Sequence, residues 1–277
     1  QKVLEAVDKI RGLGFFSNVE TNTRLGSAPE KIIIVVKVIE KPTGSLGIGA
    51  GFNSSDGSEF TFNLNERNFL GKGQTIKFDL STSTIKKQAA LTLEDPSFLG
   101  RNLFAGISFG QTSTTPTSTP LKEDKLYFAP KIGFPLNRDS ILSLAYRIET
   151  NDVTETPESG AISPLIKADV GKYTKSGIIL SYNLDKTNSI SNPTKGYDFR
   201  ITQEFNGLGG NISYSKSKLK LKAYKTLFRD DIILSSELSS GIIVGSDASI
   251  SNRFFIGGDS LKGYFIKNWY RIKIGYL

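Results

Sequence analysis

Along most of the chain, apolar and polar residues alternate one by one. Phe60, Phe62 and Leu64 interleave with Glu59, Thr61, Asn63 and Asn65, and Ile76, Phe78 and Leu80 with Thr75, Lys77, Asp79 and Ser81. The same pattern recurs over Leu142–Ile148, Ile178–Asp185 and Tyr197–Phe205. A period of two is that of β-strands with one apolar face and one wet face. From Thr43 onward the sequence predicts about eleven such strands. Turn signals at Ser55-Asp56-Gly57, Gly71-Lys72-Gly73, Asn137-Arg138-Asp139, Gly207–Gly210 and Arg229-Asp230-Asp231 separate them.

Residues 1–42 follow a different rule. Val3, Leu4, Val7, Ile10 and Leu13 have the spacing of an amphipathic helix, with Gly14 as its C-terminal cap. Phe15–Glu20 and the β-branched run Lys31–Glu40 read as strands around a turn at Gly26–Pro29, and Pro42 closes the unit. A helix, strand, strand unit of this size buries too little surface to stand alone. It predicts the end of a larger α+β domain.

Strand length and the position of charge then choose an architecture. Many of the alternating runs reach the length that a tilted membrane-crossing strand needs, about 9–11 residues, whereas soluble sandwiches use about 5–6. Within Asn211–Leu227, Lys216, Lys218, Lys220 and Lys222 share one face, and Leu219, Leu221, Ala223 and Leu227 the other. The preceding strand carries Asp198, Arg200 and Glu204 on its polar face, so a hairpin brings carboxylates against the lysine row. The expected fold is mainly β: an antiparallel up-and-down transmembrane β-barrel, apolar outside and polar around a hydrated lumen. A large antiparallel sheet with one solvated face is the plainer alternative.

Composition narrows the chemistry. The 277 residues hold 35 Lys+Arg against 27 Asp+Glu, a net charge of +8, and no His, Cys or Met. Without His there is no Ser-His-Asp or Cys-His catalysis and no imidazole metal site; without Cys there is no disulfide or thiolate zinc. No metal or cofactor is expected. The carboxylate pairs Glu123-Asp124 and Asp230-Asp231 are assigned to turns, where solvated charges are ordinary, and the chain is not expected to be an enzyme. A pI near 9.4 would suit a nucleic-acid binder. The aromatics, however, lie on the face opposite the lysines and form no stacking platform, so no nucleic-acid partner is expected. The longest apolar run, Ile32–Val36, is too short for a transmembrane helix. A start at Gln1, with no leader segment and no Met, reads as a processed product or an excised piece.

Five stretches carry a family resemblance. They are Leu13–Val19 with Lys31–Gly44; Asn68-Phe69-Leu70-Gly71-Lys72-Gly73; Glu94–Asn102; Asn192-Pro193-Thr194-Lys195-Gly196-Tyr197 with Gln203-Glu204-Phe205; and Phe254–Tyr264. In order and spacing they resemble the BamA family of outer-membrane β-barrel assembly factors. The resemblance implies that residues 1–42 are the C-terminal part of a POTRA domain. It implies that residues 43–277 are an outer-membrane β-barrel domain, incomplete because its C-terminal strands are missing. Lys262 stands where the family has Arg and Tyr264 where it has Phe; Lys keeps the charge but loses the bidentate fork.

The resemblance also implies a function without ATP or covalent chemistry: inserting and folding β-barrel proteins into the outer membrane of a Gram-negative bacterium. The partners it implies are unfolded β-barrel clients, outer-membrane lipid and the lipoproteins of an assembly complex. The first barrel strand would be a weak gate, with Gly44, Gly47, Gly49 and Gly51 loosening its packing and register, and clients would add by β-augmentation. The motif Gly257, Gly258, Asp259, Leu261, Lys262, Gly263 and Tyr264 would fold back into the lumen, with Glu204 and Glu237 as possible carboxylate partners of Lys262. The alternative function is a two-partner-type secretion pore or a passive porin.

Overall fold

In the computed structural model, the described residues are 7, 10–28, 31–53, 57–115, 120–156, 164–189, 192–227, 232–245, 252 and 254. The N-terminal unit contains two antiparallel strands, β1 (Phe16–Leu25) and β2 (Ile32–Glu40). Residues 10–12 are helical, and Gly14, at φ 71°, ends the turn by donating its N–H to the Arg11 carbonyl at 3.1 Å. β1 runs past Glu20 to Leu25, because Thr21–Arg24 keep pairing with Ile33–Val36 of β2.

The alternating region folds as one meander of eleven strands in strict sequence order. They are β3 (Gly44–Asn53), β4 (Gly57–Phe69), β5 (Gln74–Ser83), β6 (Lys86–Asp95), β7 (Phe104–Thr114), β8 (Leu121–Pro135), β9 (Ser140–Glu155), β10 (Gly171–Asp185), β11 (Gly196–Gly210), β12 (Tyr214–Leu227) and β13 (Ile232–Val244). Every neighbouring pair is antiparallel. Among the described residues β3 pairs only with β4, and β13 only with β12.

Register lines up the apolar positions into a belt. Leu46, Leu64, Phe78, Leu91, Phe109, Phe128 and Ile148 are direct cross-strand neighbours from β3 to β9. Leu184, Phe199, Leu221 and Leu238 continue the same face from β10 to β13. Phe62 and Phe78 meet edge to face at 6.1 Å, and Tyr182 and Phe199 lie 6.4 Å apart. Among the described residues no second layer covers this face, and its aliphatic and aromatic side chains stay exposed or half-buried. Among the described residues of the sheet, the buried side chains Leu121, Ser143, Glu149, Asn151, Val153 and Tyr214 lie on the polar face, and only the small Ser140 and Ser176 are buried on the apolar one. The sheet therefore curls around its polar side, and the apolar side is convex. Phe62, Phe78, Leu144, Tyr182 and Phe199 all lie on the convex face.

Two turn assignments change. Glu123 and Asp124 lie inside β8, not at a turn. They occupy opposite faces, and each has its own ammonium: Glu123 pairs with Lys125 at 2.5 Å and Asp124 with Lys122 at 2.7 Å. Likewise, Gly207–Gly210 belong to β11, and the chain reverses at residues 211–213. Positive φ at Gly207, Gly209 and Gly210 lets β11 follow a bulge in its pairing with β10 between Lys175 and Gly177. Asp230-Asp231 lie outside the described residues.

Candidate functional site

The polar face of the curl is a wall of paired charges. Strand pairing sets Asp198 against Lys222, Arg200 against Lys220 and Glu204 against Lys216. The ammonium of Lys218 reaches Glu204 at 2.8 Å, and Glu237 on β13 is shared by Lys220 at 2.8 Å and Lys222 at 3.7 Å. Glu204 and Glu237 thus both lie on the lysine face. Deeper in the wall Glu149, only 6% exposed, lies 2.7 Å from Arg147 and 3.1 Å from Lys175. The Arg147 guanidinium also stacks over the Tyr127 ring at 4.1 Å. These pairs neutralise much of the lumen charge and leave a hydrated surface with a positive excess.

The second feature is the foot of β3. The Thr43 hydroxyl donates to one oxygen of the Glu66 carboxylate, and the Asn68 N–H donates to the same oxygen at 2.7 Å. The Asn68 side-chain oxygen accepts from the Gly73 N–H at 2.8 Å, tying down the turn between β4 and β5. That turn touches the N-terminal unit where Gly73 lies beside the edge of the Phe15 ring, and Arg67 at the end of β4 approaches Gly14; within the unit the Lys41 N–H donates to the Phe15 carbonyl at 3.0 Å. A polar relay thus ties the start of the first barrel strand to the β4–β5 turn, which in turn packs against Phe15 of the N-terminal unit. Elsewhere on the turn side, the hydrogen bond from Lys186 to Asp139, then the Asp139 charge, raise the Lys186 pKa above 10.5.

The glycines of β3 are unevenly placed. Gly47, Gly49 and Gly51 all face the lumen, while Gly44 shares the lipid-side face of Leu46, Ile48 and Phe52. A Cβ on Gly49 would come within 2.6 Å of the Thr61 hydroxyl, whereas one on Gly51 would meet nothing within 4 Å. The loop motif Gly257, Gly258, Asp259, Leu261, Lys262, Gly263 and Tyr264 lies outside the described residues. Phe254, which opens the longer stretch Phe254–Tyr264, is described and stands on the lumen face of β12 and β13 beside Lys216 and Gly241. The sequence pointed to neither the Thr43–Glu66–Asn68 relay nor the Arg147–Glu149–Lys175 cluster. Both depend on cross-strand register, which alternation alone does not fix. Among the described residues no three metal-ligating side chains converge.

Residues 68–270 match the family model of the Omp85 superfamily domain. Over 267 residues the chain is 23% identical to the outer membrane protein assembly factor BamA of Neorickettsia risticii, covering 95% of this chain and 36% of that protein. Over 270 residues it is 23% identical to the BamA of Nitratidesulfovibrio vulgaris, covering 95% and 33%. The chain thus spans about a third of the length of these relatives. Among solved structures it resembles BamA from Haemophilus ducreyi lacking POTRA domains 1–3, with a TM-score of 0.75 at 17% identity over 93% of this chain and 52% of that one. It also resembles CdiB from Acinetobacter baumannii, with a TM-score of 0.57 at 12% identity over 94% and 50%. At these identities the structural likenesses speak for the fold.

Proposed function

Because this chain belongs to the Omp85 superfamily, we propose that it is the barrel-bearing region of an outer-membrane protein assembly factor, which inserts and folds β-barrel proteins into the outer membrane of a Gram-negative bacterium. The observation that carries this reading is the match, over 95% of the chain, to relatives named as assembly factors. The physical task fits the sheet. A client strand entering lipid without a partner leaves backbone N–H and C=O groups unpaired, at several kcal/mol each. An accessible strand edge supplies those partners by β-augmentation.

In this reading β3 is the gate. Three lumen-facing glycines deprive it of side-chain packing on one face, which weakens its hold on β4 and supports its exchange with a client strand. The N-terminal unit is the end of a POTRA domain, and the loop carrying Lys262 turns into the lumen. The partners are unfolded β-barrel clients, outer-membrane lipid and lipoproteins of the assembly complex. No cofactor or catalytic step is required.

The test is reconstitution of the full-length protein in lipid vesicles with an unfolded client barrel. Client folding several-fold faster than in empty vesicles supports the reading; equal rates overturn it. The second reading, a two-partner-type secretion pore, draws only on the looser likeness to CdiB. It would show as conductance that changes with an exported client that never becomes membrane-embedded.

A further inference from the structure

The lumen wall of β12 and β13 holds a docking point that the charge pairing does not explain. Gly241 pairs with Lys218 and faces the lumen between Ser239 and Ile243 on its own strand. Glycine inside a strand weakens it and commonly marks a close approach by another group. Here that group is Phe254: a Cβ on Gly241 would overlap the Phe254 ring. The Lys216 ammonium sits 4.6 Å from the centre of the same ring and donates to the Asn252 backbone carbonyl at 2.5 Å. The Tyr214 hydroxyl, on a side chain only 4% exposed, donates to the Asn252 side-chain oxygen at 3.1 Å. Asn252 and Phe254 are thus held by three neighbours from two strands: a notch, a cation over the ring and a buried hydroxyl.

We propose that Gly241, Lys216 and Tyr214 form an anchor that fixes the root of the loop following β13 against the lumen wall, with Phe254 as the inserted residue. They are positioning residues and set where the rest of the loop can reach. The anchor needs no contribution from the charge of Lys262. Its docking stands on the contacts alone; its consequence for client assembly rests on the function proposed above.

The test uses the full-length protein in lipid bilayers and brief trypsin treatment, with mass spectrometry reading cleavage after Arg253. Protease access to this bond requires the neighbouring Phe254 to leave its notch. Gly241→Val fills the notch and should raise cleavage there roughly tenfold, while the rest of the sheet stays resistant. Lys216→Ala should give an intermediate rise, and Lys216→Arg, which keeps a cation and a donor, should restore protection. Wild-type cleavage in both Gly241→Val and Lys216→Ala overturns the anchor. Should Gly241→Val fail to fold, Gly241→Cys with Phe254→Cys and a short thiol cross-linker, in a full-length protein with any cysteine outside these 277 residues replaced, reads the same contact. Efficient cross-linking supports the anchor, and its absence overturns it. A released loop with unchanged client folding upholds the anchor and counts against a role for the loop in assembly.

Discussion

Glu149 is buried against two cations, Arg147 and Lys175, and each of the three constrains the others. Removing the carboxylate would leave two positive groups facing each other in a poorly hydrated part of the wall. Glu149→Ala should therefore destabilise the sheet by about 3 kcal/mol, read by urea unfolding in lipid vesicles. Adding Lys175→Ala should recover part of that loss, whereas strict additivity would mean that the cluster is not coupled. Glu66 offers a milder contrast. Its carboxylate collects Thr43 and Asn68 at the foot of β3 and, among the described residues, is paired with no cation there. Glu66→Ala should loosen the foot of β3, read locally as faster hydrogen exchange at Leu46 and Gly47. The Lys–Glu contacts between β11 and β12 were legible in the sequence, because a single hairpin brings together the two faces that alternation defines. The Glu149 cluster was not, because Glu149 meets Lys175 across the long connection between β9, which ends at Glu155, and β10, which starts at Gly171, and a connection of that length does not fix the register from sequence.

At the scale of single elements, alternation told which way side chains point better than where strands stop. The lipid-side and lumen-side sets of β4, β5, β9, β10 and β11 follow directly from a period of two. Strand ends escape that logic. Glu123-Asp124 read as a turn because adjacent carboxylates signal water, yet opposite faces and separate lysines keep them in the ladder. Gly207–Gly210 read as a turn for their conformational freedom, which β11 uses to twist instead. β3 is the strand where this matters most. Gly49→Val would place a β-branched side chain beside Thr61, whose hydroxyl can rotate away. We expect it to strengthen the β3–β4 pairing by roughly 1 kcal/mol, seen as slower exchange of β3 amides. If β3 is the gate, client folding should slow in the same variant; faster exchange would show that the Thr61 clash dominates.

For the whole molecule, the decisive property is that the apolar belt lies outside the curl and the charges inside. That inversion was legible because strand length and the lysine row both point to it, whereas the degree of curl was not, since it depends on register offsets summed over many strands. The inversion predicts a strong asymmetry of substitution. Phe109→Lys, in the belt between Leu91 and Phe128, should cost about 2–4 kcal/mol in a bilayer, measured by folding equilibrium in lipid vesicles. Ser81→Lys, on the lumen side with Glu59 as its hydrogen-bond partner, should be nearly neutral. Equal costs would mean that the two faces have been exchanged. The bare lumen face of β3 has one more consequence. Sliding a strand along its neighbour by one residue would turn Leu46, Ile48 and Phe52 toward water, but sliding by two keeps every side chain on its own side. If β3 is the gate, Gly47, Gly49 and Gly51, which offer nothing to collide with Asn63, Thr61 and Glu59, would let it shear past β4 in steps of about 7 Å, a ratchet whose teeth exist only on the lipid side.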